Sequence, residues 1–393
     1  LCFHALPHHV RLLKPITDLM EQRGATVSFF STSAEAFFTL TLIDAGLPYT
    51  HAYEYADHEV TRRVKPAWDY LCKEWQEKLL ESTVLQSVPV PIQDKVIRCA
   101  IENVYCFDRL LEKEKPDVVL SLHEINSWGK TLGYLAFRRG IPFVTFQEGV
   151  CYAATPLYRL HTEYSTACIV WGKHARQVLE MAGCSGDKIF ELGNIDLWDA
   201  RERATTPENM RATKMALGIE DGKKVILFLM SHSHYREFVP ADLLQWYKER
   251  GDVVVIFKWH PSATKEVIAG ALKQCTLSPT IMSLQDFDTY SLIAIADVVS
   301  VFGITTTGIE ALQFGKPLVE VVFPDQMFSY VAEGVAEGAI DFRSVVEQIE
   351  KILTDGVSQK VKDAIPGFLN YHFTYFDNQA TGRIVDLIEE MVR

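Results

Sequence analysis

The sequence predicts an α/β protein made of two Rossmann-like domains whose parallel sheets face a shared cleft. Three observations predict it. Short β-rich apolar runs alternate with amphipathic helical stretches along the 393 residues. A polar stretch over residues 200–222 separates two such series of similar size. The length exceeds what one core usually needs and is comfortable for two.

The elements follow in order. Leu1–Leu6 reads as a first strand rather than a signal peptide, with a removed leader left open. A helix from Val10 to Arg23 ends at Gly24, and Thr26–Ser31 is the second strand. Residues 58–114 are mostly helical and rich in charge and aromatics. Lys115-Pro116-Asp117 breaks that run before Val118–Leu122, a buried strand. A helix over Trp128–Arg139, closed by Gly140, leads to the strand Ile141–Phe146. Ala167–Trp171, a helix to Ala182, and Ile189–Leu192 complete the first series. Thr205-Thr206-Pro207 and Asp221-Gly222 mark the connection. The second series has strands at Val225–Met230, Val253–Lys258, Thr280–Met282, Val298–Phe302 and Pro317–Val322. Asn378–Arg393 is an amphipathic helix. The expected division is 1–200 for the first domain, 201–222 for a linker and 223–375 for the second domain. A final helix, 376–393, is placed to pack back on the first.

Composition narrows the function. Hydrophobic residues make up 48% and charged residues 23%, which excludes a disordered or fibrous chain. Lys and Arg number 39 against 51 Asp and Glu, a net charge of -12, with no basic run, so nucleic-acid binding is not expected. An anionic ligand then needs local donors, because the overall field repels it. The eight cysteines form no C-x-x-C pair and suit neither a zinc site nor a disulfide frame, which points to a reducing cytosol. No apolar run is long enough to span a membrane, which leaves peripheral contact with one open.

The strongest site signal is Gly303-Ile304-Thr305-Thr306-Thr307-Gly308-Ile309-Glu310, between a strand and a helix. Gly303 permits a tight turn, and the threonines can present hydroxyls and backbone N–H groups to a phosphate. Glu310 can accept from a ribose. Plain capping of a buried helix explains the same residues equally well. The second signal is Lys258-Trp259-His260-Pro261, where an apolar strand ends. Ligands bind outside the carboxyl ends of strands in open α/β sheets. His260 can donate to a phosphate oxygen, and Pro261 stiffens the exit; a histidine satisfied by backbone is the bland alternative. The third is Gln147-Glu148-Gly149, just after a strand, with Glu124 at the end of the preceding one. A partly desolvated carboxylate there can act as a general base, while a salt-bridged loop residue remains an equal alternative. Histidines cluster at His4, His8 and His9, and again at His232 and His234. His8 and His232 are the substrate-binding candidates among them. No third ligand accompanies His232 and His234, so no metal is expected.

The order of these elements resembles the GT-B superfamily, which includes nucleotide-sugar glycosyltransferases and UDP-N-acetylglucosamine 2-epimerases. The resemblance runs over nearly the whole chain. Glu124 and Glu148 match catalytic carboxylates of the epimerases, and His260-Pro261 with Gly303–Glu310 match nucleotide-binding elements. The epimerase start Gly-Thr-Arg-Pro-Glu is replaced by His4-Ala5-Leu6-Pro7-His8-His9, and His-Arg-Arg-Glu by Ser231-His232-Ser233-His234-Tyr235-Arg236-Glu237. Gln147-Glu148-Gly149, His260-Pro261 and Thr305–Thr307 also look like the three motifs of bacterial sialyl-, Kdo- and capsule-type transferases.

The resemblance implies metal-independent transfer of a sugar from a UDP- or CMP-linked donor to a glycan or other hydroxyl acceptor, with no tightly bound cofactor. Glu148 is then the general base, with Glu124 and His8 as further catalytic candidates. Lys258, His260, Pro261, Gly303, Thr305, Thr306, Thr307, Glu310 and His232 are the expected nucleotide-binding set. A nucleotide-sugar epimerase or hydrolase is the second expectation, and a non-catalytic carbohydrate- or nucleotide-binding protein the third.

Overall fold

In the structure, a computed structural model, the described residues are all but 5–6, 32–39, 41, 80–89, 123–126, 153–157, 159–160, 231–245, 248, 261–262, 273–280, 304, 324–325 and 327. The side chains of 4, 7, 8, 75–79, 90–97, 271 and 342 also lie outside the description. Two all-parallel sheets organise the chain, one of seven strands and one of six. The first holds β1 (Cys2–His4), β2 (Phe29–Ser31), β3 (Tyr49–His51), β4 (Val119–Ser121), β5 (Phe143–Phe146), β6 (Ala167–Val170) and β7 (Ile189–Glu191). The second holds β8 (Lys224–Met230), β9 (Val253–Trp259), β10 (Ile281–Leu284), β11 (Val298–Phe302), β12 (Leu318–Val321) and β13 (Glu337–Ala339). Their orders are β3-β2-β1-β4-β5-β6-β7 and β10-β9-β8-β11-β12-β13.

Parallel strands are covered on both faces, so they read as unbroken apolar runs. β9 and β11 are buried at every position, and β8 at all but Lys224. Each sheet reverses its strand order once, between β1 and β4 and between β8 and β11. A crevice opens at the carboxyl ends of the strands at such a point. These are the two Rossmann-like domains.

The helices in the first part of the chain are α1 (Pro7–Gln22), α2 (His58–Leu79), α3 (Val90–Glu114), α4 (Ser127–Arg138), α5 (Lys173–Met181), α6 (Leu197–Ala204) and α7 (Pro207–Ala216). Those of the second are α8 (Lys265–Ala271), α9 (Thr289–Ile295), α10 (Thr306–Gln313), α11 (Phe342–Asp355), α12 (Gln359–His372) and α13 (Ala380–Val392). On one face of the first sheet, Phe107 and Leu110 of α3 and Leu132 of α4 pack with Phe3, Phe30 and Phe143. On the other, Val10, Leu13 and Ile16 of α1 share a core with Ile384, Val385 and Ile388 of α13. Arg23 ties the same two helices together through Asp386 at 2.7 Å and Glu389 at 3.2 Å.

Trp171 and Phe373 stack with ring centroids 5.8 Å apart, and Thr374 N donates to the Trp171 carbonyl at 3.0 Å. A Cβ on Gly172 would come within 2.7 Å of the His372 carbonyl oxygen, so only glycine allows this approach. His174 of α5 and His372 of α12 stack at 4.1 Å.

The structure differs from the sequence reading in three places. β3 and β13 are additional edge strands of three residues each. α1 begins at Pro7 rather than Val10, because proline is pre-set for a first helical position. The described residues of 58–114 are helical as expected, in α2 and α3. The polar stretch expected as a connection carries the end of α6 and all of α7, whose start Thr206 caps by accepting from Asn209 N at 3.2 Å. Cys2, Cys106, Cys151, Cys168 and Cys184 are buried, and none of these five forms a disulfide. Among the described residues no helix is long and apolar enough to cross a membrane.

Candidate functional site

The site is built first from the turn after β5. Gln147 fixes that turn: its amide donates to the Gly149 carbonyl at 2.9 Å and accepts from Trp171 N at 2.9 Å. Glu148 is thereby held at the carboxyl edge of the sheet, 27% exposed. Its Oε1 lies 3.8 Å from Nε2 of His9, which is fully buried on the first turn of α1. Tyr152 is near enough that its phenol pKa is pushed up by burial, by Cys151 and by the Glu148 carboxylate.

The second domain meets this turn with the start of α10. Val150 N donates to Thr306 Oγ1 at 3.2 Å. A Cβ on Gly149 would stand 2.8 Å from the same oxygen, so the two segments touch there. No side chain caps α10: Thr305 is extended at the N-cap, and its hydroxyl lies 2.9 Å from that of Thr307. Gly303 turns with φ +63 and packs against Phe323. Tyr330 braces the turn, donating to the Thr305 carbonyl at 2.7 Å and accepting from Ile309 N at 3.0 Å. The helix start, with the positive end of its dipole, therefore meets the Glu148 turn through the Thr306 hydroxyl.

A buried carboxylate network lies beside it. Glu310 is buried and accepts from Tyr290 Oη at 3.0 Å. Burial raises its pKa, with the Arg11 guanidinium and the Tyr290 hydroxyl pulling the other way. Arg11 reaches across from α1: its Nε is 3.1 Å from Asp196 Oδ2 and its guanidinium lies 5.3 Å from the Tyr290 ring centre. Burial works against the Arg11 cation, but Tyr290, Asp196, Glu310 and Asp288 outweigh it and raise its pKa.

Lys258 and His260 sit at the end of β9. The Lys258 ammonium is buried and donates to the carbonyls of Trp259, at 3.3 Å, and Gln285. Burial lowers its pKa. His260 is exposed, and its carbonyl accepts from Ala263 N at 2.9 Å. Glu124, His232 and Pro261 lie outside the described residues, as does the side chain of His8. The structure thus brings Glu148, Thr305, Thr306 and Thr307 to one junction. It adds His9, Tyr152, Arg11, Asp196, Tyr290 and Tyr330, which sequence reasoning did not choose. Only the histidine cluster after the first strand signalled any of them. Among the described residues no group of His, Cys, Asp and Glu is arranged to hold a metal ion.

No family model matches the chain, and no curated protein matches it. Solved structures do. A UDP-GlcNAc 2-epimerase from Neisseria meningitidis, bound to UDP-GlcNAc, is 14% identical over 99% of this chain and 99% of that one, with a TM-score of 0.65. The fold is GT-B. A glycosyltransferase from Rickettsia africae is 14% identical over 100% of this chain and 98% of that one, with a TM-score of 0.57. A wall teichoic acid polymerase is 14% identical over 75% of this chain and 85% of that one, with a TM-score of 0.53. In this GT-B chain the two strand-order reversals and the Val150–Thr306 contact set the Glu148 turn opposite the start of α10.

Proposed function

We propose that this protein is a GT-B glycosyltransferase that moves a sugar from a nucleotide-linked donor to a hydroxyl acceptor. One observation carries the reading: a partly exposed carboxylate on the first domain stands beside an uncapped, hydroxyl-bearing helix start on the second. Glu148 takes the acceptor proton as its oxygen bonds to the anomeric carbon. The bond from that carbon to the nucleotide phosphate breaks, and the electron pair leaves on phosphate. The N-terminus of α10 stabilises that charge without a compensating lysine. His9, with Nε2 3.8 Å from Glu148 Oε1, is the buried neighbour that positions this carboxylate. His260, exposed at the end of β9, completes the nucleotide side. Similar structures contain UDP-GlcNAc or UDP, which favours a UDP-linked donor over a CMP-linked one.

Thermal-shift binding against UDP, UMP, CDP and CMP tests this first. A ligand at 100 times its Kd adds about 2.7 kcal/mol of stability. A shift with UDP or CMP is the expected result, and no shift with any nucleotide overturns the reading.

The likeness to epimerases over the full chain favours one second reading, a nucleotide-sugar epimerase or hydrolase using the same Glu148. Entry of solvent deuterium into the sugar without an acceptor selects it over transfer.

A further inference from the structure

We infer that the groove between α2 and α3 is a binding site for an uncharged saccharide, gripping an acceptor at a distance from the reacting hydroxyl. It rests on the transfer reading above. The two helices pack through Val60, Val64, Ile101 and Cys106. Beside that seam they leave a cavity of about 610 Å³, larger than the cavity next to Glu148 at about 160 Å³. Its walls are Tyr53, Val60, Val64, Trp68 and Cys106. Tyr53 is 41% exposed, and its ring is held by stacking on His51 at 5.2 Å. An apolar cavity with a few polar groups at its mouth is what a small ligand site looks like.

Charge decides the class of ligand. The rim carries Lys65, Asp69, Arg98 and Glu102. Each cation already has a carboxylate on its own helix: Lys65 to Asp69 at 3.0 Å and Arg98 to Glu102 at 3.3 Å. Among the described residues the rim is therefore neutral in sum, and each lining cation is already paired with a carboxylate. The lining then offers two aromatic side chains, Tyr53 and Trp68, together with two paired sets of hydrogen-bonding groups. Sugar rings match that arrangement, with C–H faces on aromatics and hydroxyls to the charged pairs. A purely aliphatic ligand leaves the polar rim unused.

Location ties the groove to transfer. Tyr53 follows β3, and Glu148 follows β5, four places away in the sheet. At about 4.8 Å per strand that is about 19 Å. A single sugar cannot touch both, so the ligand is an extended glycan. An epimerase has no use for such a second grip.

The test uses the full chain and three neutral probes: maltotetraose, cellotetraose and chitotetraose. Saturation-transfer NMR and calorimetry read binding. At least one probe is expected to bind, with an affinity at least tenfold weaker in Trp68→Ala and in Tyr53→Ala. The UDP thermal shift should be the same in all three proteins, which also shows that the variants fold. Trp68→Phe should keep most of the affinity, because it keeps a ring face. Binding of no probe overturns the site, as does binding that ignores both substitutions. Preferential binding of decanoate over every saccharide overturns it in favour of an acyl ligand. A wild-type chain that binds a saccharide here but no nucleotide would overturn the transfer reading and leave the groove standing.

Discussion

Nε2 of His9 lies 3.8 Å from Oε1 of Glu148, and the imidazole is fully buried while the carboxylate is not. On the proposed transfer reading, the buried imidazole of His9 is a positioning residue for the accessible carboxylate that serves as base. Glu148→Gln keeps the shape and removes the base, so kcat should fall by about 10²–10⁴-fold. Nucleotide affinity should not change. His9→Ala should lower kcat by up to about 100-fold through misplacement of the carboxylate. His9→Asn should recover part of it, with KM for the donor unchanged in both. Equal turnover in Glu148→Gln and wild type would remove Glu148 from the chemistry.

Thr306 links the domains, accepting from Val150 N at 3.2 Å. Thr306→Val removes that acceptor and leaves the partly buried Val150 N–H without it, at a loss of about 1–3 kcal/mol for this contact between the domains. Gly149→Ala acts on the same contact from the other side, since its Cβ would stand 2.8 Å from Thr306 Oγ1. Both variants should weaken nucleotide binding by tenfold or more, read by calorimetry. Unchanged affinity in both would mean that ligand binding does not use this contact.

The sequence made the fold legible because parallel strands buried on both faces are written as apolar runs, as in Val253–Trp259 and Val298–Phe302. The edge strands Tyr49–His51 and Glu337–Ala339 are too short and too exposed to leave that mark. The rule that strand ends carry ligand sites singled out Glu148 and Thr305–Thr307 in the sequence, and the structure places these two turns in contact. His9 was not separable from His8, because the choice depends on helix phase, and the helix starts at Pro7 rather than Val10. Arg11, Asp196, Tyr290 and Glu310 meet across the two domains, and no spacing along the chain encodes that meeting. Lys258 read as a phosphate ligand, but its ammonium holds the carbonyls of Trp259 and Gln285.

Tyr330 connects the packing of the second domain to the helix start. Its hydroxyl bonds both Thr305 O and Ile309 N, and its ring fills the space that a side chain on Gly308 would need, with a Cβ 2.5 Å away. Tyr330→Phe should destabilise by about 1–3 kcal/mol, because it leaves the buried Ile309 N–H without its acceptor. Gly308→Ala should destabilise by about 1–3 kcal/mol through overpacking. The two should not add when combined, since both act on one ring. Urea midpoints of the four proteins in a double-mutant cycle measure this, and full additivity would show that the ring and the glycine are independent.

His174 and His372 stack at 4.1 Å within a cage of Phe328, Phe368 and Tyr371. Burial lowers the His174 pKa to about 4, and burial together with His174 lowers that of His372 to about 3. Both are therefore neutral in the folded protein at neutral pH, against an ordinary histidine value of about 6.5 in the unfolded chain. Between those values the unfolded state binds more protons than the folded one, so stability rises with pH and is lost on acidification. The window opens as pH falls below about 6.5 and closes near pH 3–4, with each histidine contributing up to about 1.4 kcal/mol per pH unit. Solvent screening trims the share of His174, which is only partly buried. His372→Phe keeps an aromatic ring against Phe368 and cannot titrate. Urea unfolding from pH 7 to pH 5 should show a shallower loss of stability in that variant than in the wild type. An identical slope in the two would mean that carboxylates elsewhere, not this pair, govern the acid response.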